Sequence, residues 1–149
     1  MDIGRLLFSP EGRIGQRDFW IGFLMLFVFG ILIHAVVLIG TLVWLLSTYC
    51  WICLFSKRLH DMGHSGFAQL WIYVVDVLGV IALIVGGLGS VLAAIFSGGH
   101  MGWGLLAGGI GLFVLAGFAW FLIRLGFVLW VGLTPGQIGD NRYGPAPLR

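Results

Sequence analysis

The sequence predicts an all-α integral membrane protein, with four transmembrane helices folded as two antiparallel hairpins and both termini in the cytosol. Three observations carry this. Of 149 residues, 60% are hydrophobic and only 9% charged, where a soluble domain carries about 25%. With a mean hydropathy of +1.06, too little polar surface remains to face water, so the solvent is largely lipid. Long apolar runs alternate with short polar segments, and nearly all Lys and Arg fall in every second segment. The length suits a single membrane domain over 1–149.

Residues 1–18 (MDIGRLLFSPEGRIGQRD) form a cytosolic or interfacial segment. Ile3, Leu6 and Leu7 share one face of a short helix, opposite Asp2 and Arg5, so the segment either lies along the membrane surface or is a loose tail. Ser9-Pro10 predicts an N-cap with proline in the first turn, and Gly12 and Gly15 break regularity. From Phe19 to Ser56 no residue carries a full charge. One helix of that length would measure about 57 Å, nearly twice the ~30 Å hydrocarbon core. Two spans fit better, about 19–39 and 42–56, bent near Gly40-Thr41. A cytosolic loop follows at 57–66. A third span, about 67–96, is interrupted only by Asp76. The glycine-rich SGGHMGWG (97–104) is the expected outer connector, and a fourth span, about 105–133, is interrupted only by Arg124. The tail at 134–149 is made of turn residues and prolines and does not continue a helix. No cleavable signal peptide is expected, because the first apolar run is too long and lacks a small-residue cleavage site.

Four crossings place Arg5, Arg13, Arg17, Lys57, Arg58, Arg142 and Arg149 on one side, with Arg124 inside a span. The opposite connectors hold no Lys or Arg. The positive-inside rule then puts the termini and the central loop in the cytosol. Trp20, Trp71, Tyr73 and Trp130 fall near cytosolic ends and Trp103 near the outer end, while Trp120 fits neither belt. No basic stripe with interleaved aromatics points to nucleic acid.

Asp76 and Arg124 are the two charges within predicted spans. Each lies nine residues from the cytosolic end of its helix, about 13 Å deep, and the two are symmetric about residue 100. An unpaired Arg or Asp at mid-helix costs about 2.5–3.5 kcal/mol, so an ion pair is expected, either as a pin between helices or as a gate or proton relay. Ala82, Gly86, Ser90 and Ala94 recur every fourth position, as do Gly104 and Gly108, with Gly111 on an adjacent strip. Such spacing lets helix backbones approach closely in lipid, within the hairpin or along an oligomer seam.

Cys50 and Cys53 share a helical face and read as packing residues rather than a redox or metal pair. His34 reads as a histidine bonded to a neighbouring polar group. His60, Asp61 and His64 resemble a small metal constellation, but Gly63 and Gly66 oppose the continuous helix it needs. No metal or cofactor is expected. The segment Lys57–Phe67 (KRLHDMGHSGF) reads either as a turn whose cations meet anionic head groups or as a fixed polar knot. In the knot, Arg58 would grip a carboxylate or phosphate and His60 and Asp61 would bond each other.

Three segments, GRIGQRDFW (12–20), KRLHDMGHSGF (57–67) and TPGQIGDNRYGPAP (134–147), together resemble bacterial domain-of-unknown-function family 805, small inner-membrane proteins with no established activity. The resemblance falls on Gly12, Arg13, Arg17, Phe19 and Trp20, then on Arg58, Leu59, His60, Asp61, Gly63, Ser65 and Gly66. In the tail it falls on Gly136, Gly139, Asn141, Arg142, Tyr143, Gly144 and Pro145. His64 stands where the family usually has arginine, and Phe67 where it has tryptophan. The resemblance implies a bacterial inner-membrane, multi-pass location.

All three motif segments fall on the cytosolic side, so they are expected to meet in one cap. Its candidate binding residues are Arg13, Arg17, Arg58, His60, Asp61, Ser65, Asn141 and Arg142, with Asp61 or Asp18 pairing with Arg13, Arg17 or Arg142. The expected function is a non-enzymatic scaffold, regulator or partner-binding module. Its expected partners are membrane lipids, anionic head groups among them, and a second copy or another membrane protein. The alternative is a small oligomeric channel or transporter using Asp76 and Arg124. An enzyme working on lipid head groups through His60 and Asp61 ranks last, for want of a paired nucleophile, metal set or phosphate loop.

Overall fold

The computed structural model describes residues 3–34, 40–97 and 99–147, with the side chains at 33–34, 40–42 and 99–101 outside that description. Most of the described residues are helical: α1 (Ile3–Phe8), α2 (Gln16–His34), α3 (Gly40–Asp61), a 3-10 turn (Gly66–Gln69), α4 (Leu70–Ser97) and α5 (Gly99–Leu133). Two stretches of 32 residues, Gly66–Ser97 and Gly102–Leu133, are long and apolar enough to cross a membrane. The chain packs as two compact units, one of residues 1–69 and 129–149 and one of residues 70–128.

Several boundaries differ from the sequence reading. Ser9 does not cap a helix: its Oγ accepts from Glu11 N at 3.3 Å, and Gly12 at φ +91° turns the chain before α2 begins at Gln16. The bend expected at Gly40-Thr41 is not there, since both residues open α3. Residues 35–39 and the side chain of His34 lie outside the described residues. The loop expected from Lys57 starts later, because α3 continues to Asp61. It then ends in a Schellman motif: Gly63 N donates to His60 O at 3.0 Å, His64 N to Leu59 O at 2.8 Å, and Gly63 sits at φ +79°. Nor is the glycine-rich 97–104 segment a loop, for residues 99–104 are helical. A Cβ on Gly102 would lie 2.6 Å from the Ala94 carbonyl oxygen, so glycine is what allows the two backbones to meet there, at a helix-propensity cost of about 1 kcal/mol.

In the first unit, α2 and α3 run antiparallel through edge-on ring pairs, Phe19 with Phe55 at 5.4 Å and Phe23 with Trp51 at 5.0 Å. Gly22 lies under Leu54, and Gly132 of α5 lies against Trp20. Cys50 and Cys53 are buried free thiols in the α3 core. Leu6 seats α1, with Ile3 and Phe8 left exposed. In the second unit, α4 and α5 pair in antiparallel order: Trp71 with Phe127, Gly79 with Trp120, and Ser90 with Gly109. Gly104, Gly108 and Gly111 have open space where a side chain would be, whereas Gly109 presses on Ser90. Gly104 and Gly108 therefore line a groove beside Ala82, Gly86 and Ser90 instead of closing the helices over their full length.

Candidate functional site

The last turn of α3 carries a buried carboxylate, Asp61, one turn after Arg58, and a helix brings residues three apart together. Arg58 Nη1 donates to Asp61 Oδ2. Arg13, from the loop before α2, donates to Asp61 Oδ1 through Nε at 3.2 Å and Nη2 at 3.0 Å. Both guanidinium side chains are 0% exposed and that of Asp61 is 4% exposed. Two buried cations sharing one carboxylate leave a surplus positive charge, which backbone carbonyls meet. Arg58 donates from Nε to Val131 O at 3.1 Å and from Nη2 to Thr134 O. Arg13 donates to Gln137 O at 2.7 Å, Gly139 O at 2.7 Å and Gly144 O at 3.3 Å. Val131 lies among the last carbonyls of α5, which have no helical partner and sit at the negative end of the helix dipole. Burial pushes the Arg58 pKa down while Asp61 pulls it back up.

The tail is held by the same carboxylate residue. Gln137 N donates to the Asp61 carbonyl at 2.8 Å. A Cβ on Gly136 would come within 1.9 Å of Asp61 Oδ2, so the approach requires glycine. Asn141 Nδ2 donates to His60 O at 2.9 Å and its Oδ1 accepts from Tyr143 N at 2.9 Å. Gly139 and Gly144, at φ +81° and +129°, shape the surrounding turn. The His60 ring stacks on Tyr143 at 3.9 Å and 7°. Its Nδ1 lies 3.2 Å from Gly12 O, and since a carbonyl only accepts, Nδ1 carries the proton. Burial lowers the His60 pKa, the Gly12 carbonyl opposes this, and Arg142 lowers it further.

Of the residues singled out from sequence, Arg13, Arg58, His60, Asp61 and Asn141 come together here. Three do not. Arg17 is exposed outside the network. Ser65 Oγ accepts from Phe67 N in the 3-10 turn. Arg142 covers the Tyr143 ring at 4.7 Å. Asp18 lines a cleft near α1 instead of pairing in the cap. His60 and Asp61 do not bond each other, because consecutive helical side chains point apart. His64 instead lies beside Trp130, and no group of three or more metal-ligating side chains occurs among the described residues.

Sequence reasoning foresaw the contacts of none of four further participants. Lys57 is 3% exposed and donates to Arg5 O and to Leu6 O at 2.6 Å, capping α1; burial pushes its pKa down. Gln16 donates to Leu133 O at 2.8 Å. Gln137 and Gly136 complete the Asp61 contacts. The i, i+3 spacing of Arg58 and Asp61 was the available signal, visible only if the helix is carried through Lys57.

In the second unit, Arg124 Nε donates to Asp76 Oδ1 at 2.9 Å and Nη2 donates to Asp76 Oδ2. Trp120, which fitted neither aromatic belt, donates from Nε1 to Asp76 Oδ1 at 2.9 Å.

No protein-family model matches the chain, and no solved structure matches it. Among curated proteins it is similar to the uncharacterized protein YiiR of Escherichia coli (strain K12) and to that of Escherichia coli O157:H7. Each is 28% identical over 151 residues, with 97% of this chain and 89% of the relative covered.

Proposed function

We propose that the chain is a multi-pass protein of the bacterial inner membrane, akin to domain-of-unknown-function family 805, with four spans in two antiparallel hairpins and both termini cytosolic. Its function is that of a non-enzymatic scaffold or partner-binding module, presented by a rigid cytosolic cap. The observation that carries this reading is the tie at Asp61. One buried carboxylate joins Arg13 from the N-terminal loop and Arg58 from α3, and these two arginines grip the carbonyls of the C-terminal tail. Such a network costs desolvation free energy and yields a defined shape, the property a recognition surface needs. Asp61 has both oxygens engaged and His60 is stacked, so neither is placed as a free acid or base. The channel alternative is weaker on the same ground, since Arg124 and Trp120 already occupy both oxygens of Asp76.

Thiol labelling of intact cells tests the threading: Asn141→Cys is expected to stay shielded from an impermeant reagent and His100→Cys to react. Reaction at residue 141 sinks the proposal. Purified protein in liposomes is expected to pass no solute; a flux abolished by Asp76→Asn would favour the channel.

A further inference from the structure

The carbonyls at the C-terminal end of a helix lack partners within it. In α1 three of these, at Arg5, Leu6 and Phe8, are taken by side chains of α3. Lys57 Nζ donates to Arg5 O and to Leu6 O at 2.6 Å, and Tyr49 Oη donates to Phe8 O at 3.2 Å. Tyr49, Cys53 and Lys57 follow one another at intervals of four, so they form one stripe along α3. The outer two reach up to α1, and the Cys53 thiol lies between them, within interaction range of both. α1 therefore runs along this stripe and roofs Cys53, which is 0% exposed.

The roof is held over a narrow strip. Within α1 only Leu6 is buried, set over Gly22 beside Leu54, while Ile3 and Phe8 stay exposed. A helix of this length does not persist by itself, so α1 owes its order to α3. The chain turns at Gly12, with φ +91°, and is anchored again at once by Arg13 on Asp61. Residues 3–8 can thus lift without drawing the cap along, as elements with little buried surface do. We propose that α1 is a releasable strap, latched over Cys53 by Lys57 and Tyr49, whose release opens this thiol to water and small electrophiles while the rest of the unit stays folded. The strap goes beyond the scaffold reading and holds whatever the number of membrane crossings.

The test follows alkylation by N-ethylmaleimide in the full chain, purified in mild detergent. The sequence has two cysteines, so Cys50→Ser leaves Cys53 as the thiol to read. Val131→Cys, in a chain with both cysteines replaced by serine, reports opening of the unit's core, because Val131 is 0% exposed. Cys53 is expected to react at least about tenfold faster than Val131→Cys, the factor of roughly one net hydrogen bond. Leu6→Ala, which leaves both donors in place, and Tyr49→Phe, which keeps the ring, should each speed Cys53 alkylation about tenfold more. The Val131→Cys rate should stay unchanged in both. Acceleration at Cys53 alone by either variant supports the strap, and if Leu6→Ala does not fold, Tyr49→Phe decides. Equal rates for the two thiols in the natural background overturn it, since Cys53 would then open only with the core. Acceleration of both thiols alike, or of neither, also overturns it: α1 would be integral to the core in the first case and no cover for Cys53 in the second.

Discussion

In the unit of residues 1–69 and 129–149, Arg13 and Arg58 have no exposed side-chain surface and share a single carboxylate. In the unit of residues 70–128, Arg124 keeps 43% of its side chain exposed and shares Asp76 with the Trp120 indole N–H, with no second cation among the described residues. The first arrangement joins three separated segments, the loop at Arg13, the end of α3 and residues 131–144, so each depends on the others being in place. The second needs only two helices in register. The first is more costly to disturb: two buried guanidiniums depend on one carboxylate and have no water to turn to if it is lost, whereas the single Arg124 side chain can snorkel toward the end of its helix.

That contrast yields an ordered set of expectations. Asp61→Ala leaves two buried guanidiniums without a carboxylate and is expected to cost about 3–5 kcal/mol. It is read as a lowered thermal midpoint in detergent together with rapid proteolysis of the tail; an unchanged midpoint would erase the difference between the units. Asp76→Ala is expected to cost at most the roughly 2.5–3.5 kcal/mol of an unpaired mid-helix charge, because the long Arg124 side chain can snorkel toward the end of its helix. Reversing both charges together should recover the expression lost in either single reversal; no recovery would mean that the two side chains act separately.

Gly136→Ala forces the tail away from Asp61 and is expected to cost about 1–3 kcal/mol, checked by hydrogen exchange of residues 137–144. The pH response should be smaller and confined to the first unit. His60 has a folded pKa below its usual 6.5, so its neutral form contributes stability above that pH, which is lost as pH falls through the lowered value. Unfolding midpoints should therefore drop below pH 6.5 in the natural chain, and drop less in His60→Gln. The smallest effect separates neighbouring glycines of α5. Gly108→Ala meets open space and should be neutral or stabilising by up to about 1 kcal/mol. Gly109→Ala meets Ser90 at 2.3 Å and should destabilise; equal thermal midpoints for the two would mean that α4 and α5 do not meet at Ser90.

The pairing of Asp76 with Arg124 was legible because it needs only arithmetic: equal depths on two helices folded about residue 100, and a strong penalty for leaving either charge alone. The cap was legible as a meeting of three motifs but not as a set of bonds. Arg13, Arg17 and Arg142 are equivalent as letters, and only the path of the loop turned at Gly12 brings the first of them to Asp61. Lys57 was read as the start of a loop because a sequence shows charge and not the carbonyls that await it.

By itself, then, the chain's composition and spacing determined a helical protein with two stretches fit to cross a membrane and a matched pair of charges within them, since hydropathy and helical rise are local properties. Tertiary structure decided where α3 stops, which arginines are buried and which glycines touch. Those outcomes depend on acceptors and contacts supplied by residues far away in the chain, and no local pattern encodes the distance between them.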